Sequence, residues 1–408
     1  MQLIRNTYLS AMAGIFFVLS CSSSNATEFA MMQPEEQVAY NQTLFEDAIL
    51  SVNQGKYAEG ADMLSSLYQR THAPRVKLEW ARALYLAEKK DEAKVLFNEM
   101  LETNPPYMVK EKIHVFLDDI SKAEGKFNIS FGLISDSNPK NLTSASSVNI
   151  FGQQYYYNPN AKAKTETGVS YNISANKAFN DQSPWYFGLS INGSQFNNYQ
   201  YDKTSIEESV SHKIFDSPRV YLKLSLEEYV FAGRLLYTYP AVSLRHTYEN
   251  SNGFYLWDET KVGKLNYSDY KYLNGVMTNL TTGIGKAFTP QLTLGVELGV
   301  DRMNANESPY SFLSGTVGLV SNFFLSSIEL KTQIKAIKSY KNFDAMDPIF
   351  GETRRDERSG LFATITKTDW SIHDITPSLE LGVEKNDSNI NIYSYNRVVA
   401  NIYFRKSF

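Results

Sequence analysis

The chain has 408 residues, of which 43% are hydrophobic and 21% are charged. This composition excludes a disordered polymer, and the length leaves room for more than one domain. The formal net charge of -4 offers no basic excess for phosphate backbones, so we expect no nucleic-acid partner. A single cysteine excludes both an intramolecular disulfide framework and a Cys-rich zinc site.

The N-terminal residues predict an export signal over residues 1–26. Arg5 precedes the apolar stretch 9–19, which has the length of a signal-peptide core and is too short to span a membrane as a helix. Residues 24–26 (SNA) suit ordinary signal peptidase, and we favour cleavage there. The residues before Cys21 also resemble a lipoprotein box, which would instead leave an acylated cysteine. The protein is therefore expected to leave the cytoplasm.

Residues 27–125 predict an all-α domain with an internal repeat. A shift of 33 positions superimposes small and bulky residues: Ala48 on Ala81, Gly60 on Ala93, Leu64 on Phe97 and Leu67 on Met100. A tetratricopeptide unit needs small residues where its two helices cross, a bulky residue beside them and often a proline after the second helix. The residues that supply this set are Ala81, Ala93, Phe97 and Pro105. A further helix over about 107–123 would cap the repeat. The alternative is a small helical bundle without a repeat function.

From Lys126 onward the hydrophobic period changes from 3.6 to 2. Apolar residues alternate with polar ones over 168–176, 220–227 and 291–301. In these stretches one strand face is apolar, while the other carries Gly, Ser, Asn and charged residues. The first face suits lipid and the second suits a hydrated lumen. Residues 126–408 are therefore predicted to form a transmembrane β-barrel, with a soluble β domain and a β-solenoid as the alternatives.

The spacing of the turns predicts the number of strands. Residues that favour tight turns cluster at six places, namely 180–184, 216–218, 250–253, 289–290, 321–322 and 369–373. Six short turns join seven hairpins, which gives about fourteen strands. Because this number is even, both chain termini of the barrel lie on the side of the short turns. The last strand ends in Phe408, with Phe404 in the same alternating pattern. This ending resembles the signal that the bacterial barrel-assembly machinery reads, although Lys406 departs from it.

The sequence lacks the common catalytic, metal-binding and nucleotide-binding motifs. The five histidines are scattered, without an HExxH motif, and no nucleophile elbow or GxxxxGK[ST] nucleotide loop is present. His373 and Asp374 are the nearest approach to an acid–base pair. Adjacent strand residues point to opposite faces, so we expect these two residues to solvate a turn. We therefore expect no catalytic residue, no cofactor, no metal and no enzyme.

Three segments resemble the surface lipoprotein assembly modulators, the Slam family. GLISDSNPKN (132–141) is similar to the family's first strand and its Asp-Ser-Asn loop. FDAMDPIFGETRRDERSG (343–360) is similar to its Asp-Pro, Phe-Gly and Arg-x-Asp segment, and residues 386–408 are similar to its closing hairpin. The resemblance covers nearly the whole mature chain. The helical domain is shorter than in the best-known members of the family.

The resemblance implies an outer-membrane barrel with a periplasmic tetratricopeptide-like domain. It also implies that a specific periplasmic client, either a surface lipoprotein or a related secreted haem- or metal-acquisition protein, is carried to the cell surface or medium. The expected partners are this client, the barrel-assembly machinery and outer-membrane lipid. Two alternatives stay open, namely a passive porin or uptake channel with a periplasmic tethering domain, and a scaffold for another translocon.

Charged residues near the start of one predicted strand are the candidate client contact. Over 354–362, strand alternation puts Arg354, Asp356 and Arg358 on the face that is expected to line the lumen. These side chains could gate the lumen or contact the client. The alternative is a solvated cluster whose charges pair with one another.

Overall fold

The computed structural model describes residues 33–103, 105–120, 125–150, 152–157, 163–180, 183–216, 218–250, 253–370 and 375–407. The predicted signal peptide, Cys21, the pair His373 and Asp374, and Phe408 lie outside these ranges. The chain divides into two compact units, the first ending at Ile120 and the second beginning at Ser121.

The first unit consists of five helices: α1 (Pro34–Asn53), α2 (Tyr57–Thr71), α3 (Pro74–Leu86), α4 (Lys90–Glu102) and α5 (Tyr107–Ile120). Pro34 and Pro74 each begin a helix, where the missing N–H of proline leaves no hydrogen bond unmade. The residue after α2, His72, takes the left-handed conformation (φ 49°), which terminates that helix. None of the described helices is long and apolar enough to cross a membrane.

The positions related by the 33-residue shift form the core of this unit. Ala48, Leu64, Ala81, Ala93 and Phe97 each have 0% exposure, and Pro105 lies between α4 and α5. A Cβ on Gly60 would lie 2.4 Å from Val52 Cγ2, so glycine permits the close approach of α1 and α2. Phe97 stacks on Phe116 of α5 at a ring distance of 5.1 Å. The assignment to the tetratricopeptide class stays a prediction.

The second unit is a closed antiparallel barrel of fourteen strands, which confirms the predicted fold class. In chain order its strands are β1 (Lys126–Asp136), β4 (Glu166–Ala178), β5 (Trp185–Phe196), β6 (Lys203–Asp216), β7 (Arg219–Phe231), β8 (Arg234–Glu249), β9 (Phe254–Tyr267), β10 (Gly275–Thr289), β11 (Leu292–Ala305), β12 (Phe312–Leu325), β13 (Leu330–Met346), β14 (Thr353–Lys367), β15 (Thr376–Ser388) and β16 (Tyr395–Ser407). A small hairpin, β2 (Ser147–Ile150) with β3 (Gln153–Tyr156), lies in the first long connection.

The barrel strands have a mainly apolar outer face and a mainly polar inner face. On β1 the outward residues Phe131 and Leu133 are 49% and 55% exposed, whereas Ser130 lines an interior cavity. The apolar residues of 220–227 and 291–301 likewise point outward. The outer face would lie against lipid and the inner face against water, as the alternation in the sequence predicted.

The barrel has a short-turn end and a long-loop end. β1 begins and β16 ends at the short-turn end, and the two strands close the barrel from Asn128 opposite Ser407 to Asp136 opposite Val399. The predicted turn at 321–322 is wrong, because both residues lie inside β12 and the turn follows at 326–329. The Asn322 side chain accepts a hydrogen bond from Gln333 Nε2 (2.8 Å) across the β12–β13 ladder, so this polar pair extends the strand instead of ending it.

Candidate functional site

The three segments that carry the family resemblance meet at the long-loop end of the barrel. Residues 132–141, 343–360 and 386–407 belong to β1, β13–β14 and β15–β16 with their connecting loops. In the barrel these strands are neighbours, in the order β1, β16, β15, β14 and β13. Segments from opposite ends of the sequence therefore form one continuous wall, and their loops form one part of the mouth.

An ion pair joins the first and last strands of this wall. Arg397 Nε lies 3.0 Å from both carboxylate oxygens of Asp136, and Arg397 Nη2 lies 2.6 Å from Asp136 Oδ2. The Asp136 side chain is 5% exposed and the Arg397 side chain 27%. Asp136 also accepts a hydrogen bond from the backbone N–H of Asn138 (2.9 Å), which turns the chain as it leaves β1. Two-point binding between a planar guanidinium and a carboxylate fixes orientation as well as distance.

The segment after β1, residues 137–144, is here called the mouth strap. Its buried Asn138 donates to the backbone carbonyl oxygens of Leu142 (2.8 Å) and Asn396 (3.2 Å). Further along, Thr143 Oγ1 donates to the carbonyl of Asn391 (2.6 Å). These bonds attach the mouth strap to the β15–β16 loop and to the start of β16.

The mouth strap also reaches strands on other sides of the barrel. Lys140 Nζ lies 4.7 Å from the ring centre of Tyr201, between β5 and β6, and 5.8 Å from that of Phe231, at the end of β7. Asn141 lines an interior cavity together with Asp301 of β11. Since β11 lies six strands from β1 in the barrel order, the mouth strap extends into the lumen and narrows the mouth.

Arg354 connects the start of β14 with the β15–β16 loop. Its guanidinium pairs with Asp356 through Nε–Oδ1 (3.0 Å) and Nη2–Oδ2 (2.7 Å) contacts. The same group lies over the ring of Tyr393, with Cζ 3.4 Å from the ring centre. Stacking of arginine on an aromatic ring is strongest where water is partly excluded. Arg354 is therefore held by a carboxylate and an aromatic ring at the same time.

Tyr393 is in turn bonded to the loop between β13 and β14. Its hydroxyl donates to Asp347 Oδ2 (3.2 Å), while Asp347 Oδ1 accepts from the backbone N–H of Ile349 (2.9 Å). Burial, followed by the charge of Asp347, raises the pKa of Tyr393, against an opposing effect of Arg354. The hydroxyl is therefore held in its protonated, donating form.

The predicted client-contact residues Arg354, Asp356 and Arg358 all lie on the luminal side of β14. They line a cavity of about 420 Å³ at the long-loop end. Arg354 and Asp356 are paired with each other, whereas Arg358 has no ion-pair partner in the described part of the chain. Their contact with a client stays a prediction.

Phe404, from the predicted assembly signal, lies on the outer face of β16. It is 42% exposed and stands opposite Phe131 of β1. Its role in barrel assembly is not a property that the fold tests, so that role also stays a prediction.

Several residues of the mouth were not found by sequence reasoning, namely Asp136, Lys140, Tyr393 and Arg397. Asp136 ends an alternating strand and Arg397 lies on the polar face of another, so both were predictable as luminal. Their pairing was not, because the two residues are 261 positions apart. Within the described ranges, no cluster of three or more His, Cys, Asp or Glu residues could hold a metal ion.

The family model described as "surface lipoprotein assembly modifier" matches residues 126–408. No curated protein matches the chain. Among solved structures, the chain is similar to the outer membrane channel DcaP of Acinetobacter baumannii, with 9% identity and a TM-score of 0.41 over 69% of this chain and 96% of that one. It is also similar to a bacterial polysaccharide outer membrane secretin, with 11% identity and a TM-score of 0.38 over 68% and 98% of the two chains. OccK1 of Pseudomonas aeruginosa has 9% identity and a TM-score of 0.38, over 70% and 99%.

Proposed function

Because the chain belongs to the surface lipoprotein assembly modifier family, we propose that it is a translocon for one specific periplasmic client. The client is a surface lipoprotein or a related secreted haem- or metal-acquisition protein. It is carried to the cell surface or into the medium. The match of the family model to the whole barrel, residues 126–408, is the observation that carries this proposal.

The broader role is that of an outer-membrane transport barrel, and not of an enzyme. The long-loop end of such a barrel faces the exterior, and the short-turn end faces the periplasm. The helical unit precedes β1, which begins at the short-turn end, and this agrees with a periplasmic position for that unit.

The size and lining of the lumen support passage of a polypeptide. Barrels of about eight strands are filled by side chains, whereas barrels of sixteen to eighteen strands enclose an aqueous channel. Fourteen strands lie closer to the second case. The wall of the luminal cavities presents Ser, Asn, Thr, Tyr and charged side chains, so a chain in transit meets groups that can form hydrogen bonds.

The helical unit distinguishes client export from passive diffusion, since a diffusion channel has no need of residues 37–125. The experiment is co-expression of a candidate client with either the full chain or a variant that lacks these residues. Client at the surface is measured by antibody accessibility on intact cells. Heat-modifiable migration of the variant on gels checks that its barrel is still assembled.

If the proposal is correct, the deletion abolishes surface display of the client and leaves barrel assembly intact. Unchanged display would contradict it and would favour the passive channel. Reconstitution of the purified full chain and one client in liposomes separates direct export from a scaffold role. A scaffold alone would not move the client from the protected side of the liposome membrane to the accessible side.

A further inference from the structure

Most luminal cations have a carboxylate partner. Glu207 of β6 pairs with both Lys223 and Lys261, and Lys335 pairs with Glu297 at 2.5 Å. Some cations lack such a partner among the described residues, namely Lys203 at the start of β6 and the two residues Lys341 and Arg358. Lys341 and Arg358 lie together on the wall of the 420 Å³ cavity, and Lys341 Nζ is 4.3 Å from the ring centre of Phe312.

The ladder of β13 and β14 brings these two cations together. Lys341 stands opposite Asp356, and Ser339 stands opposite Arg358. Lys341 and Arg358 are therefore diagonal neighbours on the same strand face, and such neighbours lie roughly 7–8 Å apart. Both side chains are directed into one space, where a single acceptor group could contact both.

Of the two carboxylates on the cavity wall, Asp356 is fully engaged and Asp301 is bonded through one oxygen. Both oxygens of Asp356 are bound by Arg354, and Asp301 Oδ1 accepts from Asn279 Nδ2 (2.8 Å). Neither lies within ion-pair distance of Lys341 or Arg358. The wall therefore has an excess of positive charge that its own acidic residues do not neutralise.

Hydroxyl groups complete the lining of the cavity. Thr316 Oγ1 donates to Ser339 Oγ (3.0 Å), and Ser314 Oγ lies 3.4 Å from the same oxygen. The Ser339 hydroxyl can in turn donate to a guest in the cavity. Two cations together with a hydroxyl donor are the groups that carboxylates bind through charge-assisted hydrogen bonds.

We propose that the cavity lined by Ser339, Lys341 and Arg358 is a binding site for carboxylate groups at the extracellular mouth. The carboxylate can belong to an acidic side chain of a polypeptide in the lumen or to a small dicarboxylate solute. This site goes beyond the proposed export function, because it depends only on the geometry of the wall.

The test is calorimetric titration of the full-length chain in detergent micelles with four probes. Sodium succinate and a short oligoglutamate peptide present carboxylates from the two sources. Succinamide, which has the shape of succinate without its charge, and oligolysine are the controls. We expect binding of at least one carboxylate probe and of neither control.

The variant R358Q and the double variant K341Q/R358Q are expected to weaken that binding at least about tenfold, a loss typical of a charge-assisted contact. The matched control is K385Q, which removes a lysine from the outer face, where Lys385 is exposed and paired with Asp387. It should bind as the unmodified chain does. Because Arg358 is exposed to the lumen, R358Q leaves no buried charge behind, and heat-modifiable migration checks its assembly.

Each result has a defined meaning. Binding of oligoglutamate alone identifies a polypeptide as the source of the carboxylate, and binding of succinate alone identifies a small solute. Absence of binding by both carboxylate probes would overturn the site, as would binding that R358Q leaves unchanged. Client display is measured separately, so failure of the site and failure of the export proposal are distinguishable.

Discussion

Asp136 and Arg397 form a two-point ion pair between the first and last strands of the barrel, across 261 positions of sequence. Among the described residues, the closing ladder between β1 and β16 has fewer residue pairs than the other ladders of the barrel, so this ion pair stabilises the ladder with the shortest register. It also positions the start of the mouth strap, since Asp136 accepts from the N–H of Asn138.

The substitution D136N is predicted to destabilise the barrel by about 2–3 kcal/mol, because it leaves the largely buried Arg397 without a counter-charge. The measurement is urea-induced unfolding in micelles. D387N serves as the control, since Asp387 and its partner Lys385 are 60% and 59% exposed and screened by solvent. Equal effects of the two substitutions would contradict the structural role of the Asp136–Arg397 pair.

Adjacent glutamates on β6 are predicted to have opposite effects on stability. Glu208 lies on the outer face near the middle of the strand, opposite Leu189 and Leu226. A carboxylate facing lipid at this height is unfavourable, so E208L should stabilise the barrel by about 1–2 kcal/mol. E207L should destabilise it, because Lys223 and Lys261 would lose their luminal partner. Unfolding in lipid bilayers measures both changes, and a loss of stability in E208L would show that this face does not meet lipid.

Lys140 is predicted to hold the mouth strap over the lumen. Its ammonium lies over the rings of Tyr201 and Phe231. Loss of about 1 kcal/mol of this cation–π attraction would raise the ratio of straps displaced from the rings to straps held against them roughly fivefold. In planar bilayers, K140A should therefore increase the time spent in the more conductive state. K164A alters an exposed lysine of the same connection and should behave like the unmodified chain. Identical conductance in K140A would mean that the strap does not limit the current.

Tyr393 is predicted to make the mouth sensitive to alkaline pH. Its pKa is raised in the folded protein, so its contribution to stability is complete below the unfolded value of about 10 and is lost as the pH rises through the folded value. Protease cleavage of the loop 347–352 should therefore increase above about pH 10 in the unmodified chain. In Y393F the loop should be less protected at neutral pH, because Asp347 loses its donor, and this added alkaline step should be absent. An alkaline step of the same size in Y393F would assign it to another tyrosine.

The sequence by itself determined the division into a helical segment and a barrel, the faces of the strands and the strand number. These follow from local periodicity and turn chemistry, since a side chain on a strand has only two directions. The turn predicted at 321–322 is wrong because that prediction also rested on local propensity alone. Ser and Asn favour turns, yet both residues remain in β12, where the ladder with β13 continues. The alternation at 354–358 placed three charged side chains in the lumen without showing their partners.

Only the tertiary structure decided which residues meet at the mouth. The closure of β1 on β16 brings Asp136 to Arg397, the β15–β16 loop brings Tyr393 over Arg354, and the mouth strap brings Lys140 to Tyr201 and Phe231. Each contact depends on ring closure and on loop conformation, which hydrophobic periodicity does not encode. The excess of positive charge at Lys341 and Arg358 also depends on the tertiary structure, because only the folded wall shows that Asp356 is already paired with Arg354.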